Sequence, residues 1–214
     1  MLFDKITIIG IGLIGSSLAR VIMKKGLAGK LCACDKNKEY LAEARELGIV
    51  DEISEDLGKA VENADLVVYA TPVGAYGEIT RQIVPHLKKG VILTDVGSIK
   101  KYSIRKIEEN LPENADVVVV PGHPVAGTEK SGPANGFDTL FEGRWYIVTP
   151  SSRSTEEAVA KVSELWAAAR MKVDKMTPEH HDKVMAAVSH LPHLIAYSIA
   201  VSYTHLTLPT IRLV

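Results

Sequence analysis

A histidine sits in a glycine-bracketed stretch, Gly122-His123-Pro124-Val125-Ala126-Gly127-Thr128-Glu129, directly after the all-apolar run Val117 to Val120. An imidazole exchanges a proton near neutral pH, and loops at the carboxyl ends of parallel strands are where open α/β sheets bind ligands. His123 is therefore a candidate for proton chemistry, set against the plainer reading of a loop histidine bonded to backbone. Upstream, Gly10-Ile11-Gly12-Leu13-Ile14-Gly15 follows the β-branched run Ile6 to Ile9 at once. Three glycines so spaced serve a tight turn, backbone approach to a pyrophosphate, and close packing of helix on strand. The phosphate charge then rests on the helix N-terminus. Asp35 closes a second apolar run, Lys30 to Cys34, twenty residues beyond Gly15. A carboxylate there accepts hydrogen bonds from the adenosine ribose and repels a 2′-phosphate, which favours NAD over NADP, although the adjacent Lys36 keeps the preference open. Glycine turns alone are common; strand, turn, helix and acid in this order form a dinucleotide fingerprint.

Further groups gather at strand ends. Thr71-Pro72 closes the run Asp65 to Ala70 and is expected to pass over the cofactor, the proline setting the turn. Asp95-Val96-Gly97-Ser98 follows Val91 to Leu93 and places the Ser98 hydroxyl at a helix start, where capping and a role in a site are compatible. Ser189 and His193, four apart, share a helix face, with Pro192 between them as a kink. His190 and His193 lack a third ligand at helical spacing, so no metal is expected. His180-His181 reads as an exposed helix start without a role.

The elements that must position these groups alternate. Helical segments over Ser16 to Lys25, Leu41 to Leu47, a stretch ending at Ala60 to Asn63, Gly74 to Leu87 and Ile99 to Asn110 separate five short apolar strands. This predicts a Rossmann-like, doubly wound, mostly parallel α/β sheet. A strand at Tyr146 to Val148, a helix over Thr155 to Arg170, a short strand at Met171 to Val173 and a helix from Thr177 onward complete the pattern. The 214 residues, 46% hydrophobic and 24% charged, suffice for one full core and the start of another. A net charge of −1 shows no basic stripe for nucleic acid. Cys32 and Cys34 lie too close on one strand for a good disulfide and read as core thiols in a reducing compartment. The start has neither a signal-peptide pattern nor a membrane-spanning stretch, and a cytoplasmic location is expected.

GIGLIGSSLA near the start, ATPV at Ala70 to Val73, DVGSIK at Asp95 to Lys100, GHPVAGTEKSG at Gly122 to Gly132 and VSHLPH at Val188 to His193 together resemble the prephenate and arogenate dehydrogenases of tyrosine biosynthesis. The last two motifs are far more specific than the glycine fingerprint. The resemblance covers residues 1 to about 200 and implies NAD-dependent oxidative decarboxylation of prephenate or arogenate. Hydride removal from C4 of such a ring requires the C4 hydroxyl proton to leave toward a base, for which a neutral imidazole tuned near ambient pH is suited. By resemblance, His123 is the catalytic histidine and Ser98 bonds the substrate hydroxyl or orients His123. Thr128, Glu129, Ser189 and His193 fall at substrate positions. Gly10, Gly12, Leu13, Ile14, Gly15, Asp35, Thr71 and Pro72 are the cofactor-binding set, and a homodimer is expected of the full-length protein.

The chain departs from that family after Ala200. Val201 to Thr210, VSYTHLTLPT, carries no helical pattern and matches one reading frame of a transposon-type sequencing adapter. The expected organisation is an NAD-binding domain over 1–174, the first helix of a truncated all-α dimerisation domain over 175–200, and a non-native tail over 201–214. A fragment of that kind is expected to bind NAD and turn over prephenate poorly. Two other classes remain open. One is a β-hydroxyacid-type dehydrogenase, for which Lys183 is the nearby candidate lysine, and the other is a non-catalytic NAD-binding module.

Overall fold

The computed structural model describes residues 1–205. The first half runs β1 (Phe3–Ile9), α1 (Leu13–Lys25), β2 (Ala28–Cys34), α2 (Lys38–Glu46), β3 (Glu52–Ser54), α3 (Leu57–Val61), β4 (Leu66–Tyr69), α4 (Tyr76–Ile83), β5 (Val91–Asp95), α5 (Lys100–Glu108) and β6 (Val117–Val119). These strands form one parallel sheet in the order β3-β2-β1-β4-β5-β6, the doubly wound arrangement expected. The central strands are buried on both faces, as their unbroken apolar runs require. Chain order reverses between β1 and β4, which opens the crevice where such sheets bind ligands. The edge strand β3 was not anticipated: three half-buried residues, two of them polar, carry little periodic signal. The helix expected over Gly74 to Leu87 is shorter, with 3₁₀ turns at Val73–Ala75 and Val84–His86 flanking α4.

After β6 the chain leaves this sheet. β7 (Gly122–Pro124), β8 (Trp145–Val148) and β9 (Lys172–Lys175) make a second sheet, with α6 (Glu156–Ala168) between β8 and β9. His123 is thus a strand residue, opposite Ile147 of β8, and not a loop residue as the glycines suggested. Trp166 of α6 is fully buried, stacks on Tyr146 at 4.7 Å between centroids, and meets Phe141 edge-on at 5.1 Å. This aromatic cluster seats β8 beside β7, and a Cβ on Gly122 would overlap the Tyr146 hydroxyl.

The last segment is α7 (Pro178–Met185), a π-helical turn over Ala186–His190, and α8 (Leu191–His205). Pro192 lacks an N–H and its ring crowds the carbonyl four residues back; the widened turn just before it is where the helix absorbs that conflict. α8 continues through Val201 to His205, where no helical pattern was expected. Those five residues contain neither Gly nor Pro, and a helix already nucleated extends cheaply through them. Residues 206–214, the remainder of the expected tail, lie outside the described residues. Leu191, Leu194, Ile195 and Ile199 are all exposed. By length and composition Pro178–Ser202 is also apolar enough to cross a bilayer, with a mean hydropathy of 1.5.

Candidate active site

The crevice between β1 and β4 is made of backbone. Gly10 has φ +97°, and a Cβ there would stand 2.5 Å from the Ala70 carbonyl oxygen and 2.9 Å from Thr71 Cγ2. A Cβ on Gly15 would overlap the Gly10 carbonyl oxygen, whereas Gly12 faces open space. The three glycines therefore differ in what they permit: Gly10 the approach of the turn to the Ala70 edge, Gly12 an open crevice, and Gly15 close packing of α1 on the turn. Gly12 caps α1 without a side-chain bond and no acid occupies the first turn, so the N–H groups of the half-buried Leu13 and Ile14 sit at an uncompensated positive helix end. Asp35 accepts from Ile11 N at 2.8 Å and from Asn37 N at 2.9 Å. It pins the glycine turn and keeps lone pairs on both oxygens for a further donor. Thr71 Oγ1 is buried without a hydrogen-bond partner, and Pro72 is exposed just before the turn into α4. An open glycine, a bare helix start and an orphaned hydroxyl at one crevice fit a dinucleotide.

The second half of the site is made of charged side chains. Asp95, at the end of β5, and Lys100, at the start of α5, are both fully buried and paired at 2.6 Å. Lys100 Nζ also donates to the Gly122 carbonyl at 2.6 Å, while Asp95 accepts from Gly122 N at 3.1 Å and Gly97 N at 2.9 Å. Burial pulls the Lys100 ammonium below its ordinary pKa, and the Asp95 carboxylate opposes this. Both backbone polar groups of Gly122 are thereby clamped, which fixes the strand that carries His123.

His123 Nδ1 lies 3.0 Å from His181 Nε2, and His181 Nδ1 lies 2.9 Å from Asp182 Oδ1. Asp182 accepts in addition from Lys100 N at 2.7 Å and Lys101 N at 3.0 Å. Desolvation, then the Lys100 ammonium, pushes the His123 pKa down to about 3. It is a neutral imidazole across the physiological range, held lower than the near-neutral value expected. Two expectations are overturned. His181 is not an exposed helix residue: it is fully buried between His123 and Asp182, and only His180 faces solvent. Ser98 does not cap a helix either. It is exposed, α5 is capped by Ile99 without a side-chain bond, and Asp182 on α7 supplies the missing acceptor from 82 residues away.

The remaining candidates lie on the solvent side. Thr128 and Glu129 are exposed beyond β7, with Thr128 Oγ1 accepting from Lys130 N at 3.2 Å. Ser189 is half-buried in the π turn, and the exposed His193 donates from Nδ1 to the Ser189 carbonyl at 2.7 Å, so the two remain neighbours. His190 is near enough for its charge to bear on His123. Lys183 is exposed. Asp95, Lys100, His181 and Asp182, which hold His123 and its strand, were not singled out from the sequence as site residues, although DVGSIK and EHHDK carry them in plain view.

Comparison with known proteins gives a consistent result. The model of the prephenate dehydrogenase nucleotide-binding domain matches residues 18–175, and that of the prephenate dehydrogenase dimerization domain matches residues 177–211. A cyclohexadienyl dehydrogenase of Zymomonas mobilis is 40% identical over 197 residues, covering 92% of this chain and 66% of that protein. A prephenate dehydrogenase of Bacillus subtilis is 33% identical, covering 94% of this chain and 54% of its own length. The crystal structure of prephenate dehydrogenase from Aquifex aeolicus in complex with hydroxyphenyl propionate and NAD+ superposes with a TM-score of 0.87 at 32% identity, over 96% of this chain and 71% of that one. The chain thus spans about half to two thirds of the length of these two curated relatives.

Proposed function

The chain belongs to the prephenate dehydrogenase family, and from that premise we propose that it serves NAD-dependent oxidative decarboxylation of prephenate to 4-hydroxyphenylpyruvate, or of arogenate to tyrosine. The observation that carries this reading is a neutral, half-buried His123 clamped beside the ends of β5 and β6, in a chain whose glycine crevice fits a dinucleotide. NAD, when bound, supplies the hydride acceptor for C4 of the ring. Gly12 would leave room for its pyrophosphate at the Leu13 and Ile14 N–H groups, with Gly10 and Gly15 shaping the turn; Asp35 would take the ribose, and Thr71 and Pro72 would cover it. His123 accepts the C4 hydroxyl proton, which lets the carbonyl form as the hydride departs. Aromatisation then drives loss of the ring carboxylate as carbon dioxide. Ser98 hydrogen-bonds the same hydroxyl, and Thr128, Glu129, Ser189 and His193 contact the rest of the substrate.

The domain over 1–174 binds the cofactor, and the segment from 175 begins the helical domain, whose exposed apolar residues on α8 suit a second copy of the chain in a cytoplasmic homodimer. The test is NADH formation with prephenate against arogenate, by the purified 214-residue chain and by the complete gene product of its source. His123→Asn is expected to abolish turnover of the active form while NAD binding persists. Unchanged turnover in that variant would overturn the assignment, and NAD binding without turnover of either substrate by the complete gene product would favour a binding module.

A further inference from the structure

We propose that His181 and Asp182 are positioning residues that set the tautomer of His123, leaving its Nε2 unprotonated and free to accept the substrate proton. The proposal deepens the dehydrogenase reading and rests on it for its functional consequence. Its basis is the continuous contact from His123 Nδ1 to His181 Nε2 at 3.0 Å and from His181 Nδ1 to Asp182 Oδ1 at 2.9 Å. A carboxylate only accepts, so His181 carries its proton on Nδ1. Neutral His181 then has a lone pair on Nε2, and the donor in its contact with His123 must be His123 Nδ1–H. A neutral imidazole has one N–H, so His123 Nε2 is bare. This is the logic by which the aspartate of a Ser-His-Asp triad selects a histidine tautomer, extended here by one imidazole.

Asp182 is held in place by the Lys100 and Lys101 N–H groups, so the start of α5 orients the whole series. When the substrate O–H breaks, the new N–H forms on His123 Nε2. The imidazolium keeps its Nδ1–H bond to His181, and no proton needs to reach Asp182. The charged or titratable groups facing the pair are Lys100, Asp95, Asp182 and His190. Protonation of His181 would reverse the series: its Nε2–H would donate to His123 Nδ1 and place the His123 proton on Nε2, where it blocks acceptance.

The experiment is ¹⁵N NMR of histidine-labelled protein without substrate, joined to kinetics of His181→Leu and His181→Gln. His123 and His181 are both expected as Nδ1–H tautomers in the unmodified chain. In His181→Leu the His123 proton should redistribute to Nε2, and kcat of the active form should fall about 100-fold, the low end of general acid–base contributions, with KM unchanged. His181→Gln places a carbonyl oxygen near the lost Nε2 and should restore both readouts. A His123 proton found on Nε2 in the unmodified chain overturns the proposal, as does a folded Leu variant with unaltered tautomer and kcat. Should the Leu variant not fold, the unmodified tautomer and the Gln variant decide. The tautomer is measured without turnover, so a protein that fails to oxidise prephenate sinks the functional reading and leaves this result standing.

Discussion

The crevice at Gly10 to Gly15 and the station around His123 both fix the chain beside the ends of the parallel strands, with opposite materials. The crevice uses backbone and the absence of side chains, within one strand-turn-helix unit whose main distant supports are Asp35 and the Ala70-Thr71 edge. The station uses buried charge, and it draws Asp95, Lys100, Gly122, His181 and Asp182 from β5, α5, β7 and α7. Backbone placement survives changes elsewhere in the chain; placement by buried ions fails when any one partner is lost.

The sharpest way to break the comparison is Lys100→Met, which removes the ion partner of the fully buried Asp95. Loss of one partner of a buried pair costs about 3–5 kcal/mol, and denaturant unfolding should register it, whereas the double change Asp95→Asn with Lys100→Met should cost less than the two singles added. In the crevice, Gly10→Ala forces a Cβ against Ala70 and a side chain into positive φ. NAD affinity, read by titration, should fall at least about tenfold, equivalent to about 1.4 kcal/mol, with the His123 station intact.

Asp182→Ala should cost about 1–2 kcal/mol through the lost α5 cap. Burial alone would raise the Asp182 pKa, but hydrogen bonds from Lys100 N, His181 and Lys101 N hold it below the ordinary value. That contribution to stability is complete above the unfolded-chain value and is lost as pH falls through the folded one, so the variant should show a shallower acid limb. His123 gives a second pH signature. Its folded value of about 3 lies below the ordinary 6.5, so the unfolded chain binds the proton first. Stability should be full above about pH 6.5 and decline toward pH 3, and His123→Asn should flatten part of that slope in thermal melts at stepped pH. The smallest effect is expected at Ser98. A true cap would cost about 0.5–2 kcal/mol on truncation, but Ser98→Ala should stay within about 0.5 kcal/mol in stability, while prephenate turnover by the active form falls.

The parallel sheet, the glycine crevice and Asp35 were legible because each is written in contiguous residues with local physics: apolar runs, a fixed glycine spacing, a strand followed by an acid. His123 was legible as a residue though not as a strand member. Its pairing with Ile147 depends on Trp166 and Tyr146 seating β8 beside it. Ser98 had the right residue type at a helix start, and the cap went to Asp182 because α7 packs its acid against that helix end.

The sequence by itself determined the fold class and the dinucleotide fingerprint, and it offered His123 as a candidate proton acceptor, since these follow from residue type and spacing along a short stretch. Only the tertiary structure decided how that acceptor is held. Burial of Lys100 against Asp95, and of His181 between His123 and Asp182, exists only when β5, α5, β7 and α7 meet, and no local pattern encodes which charges will lose their water.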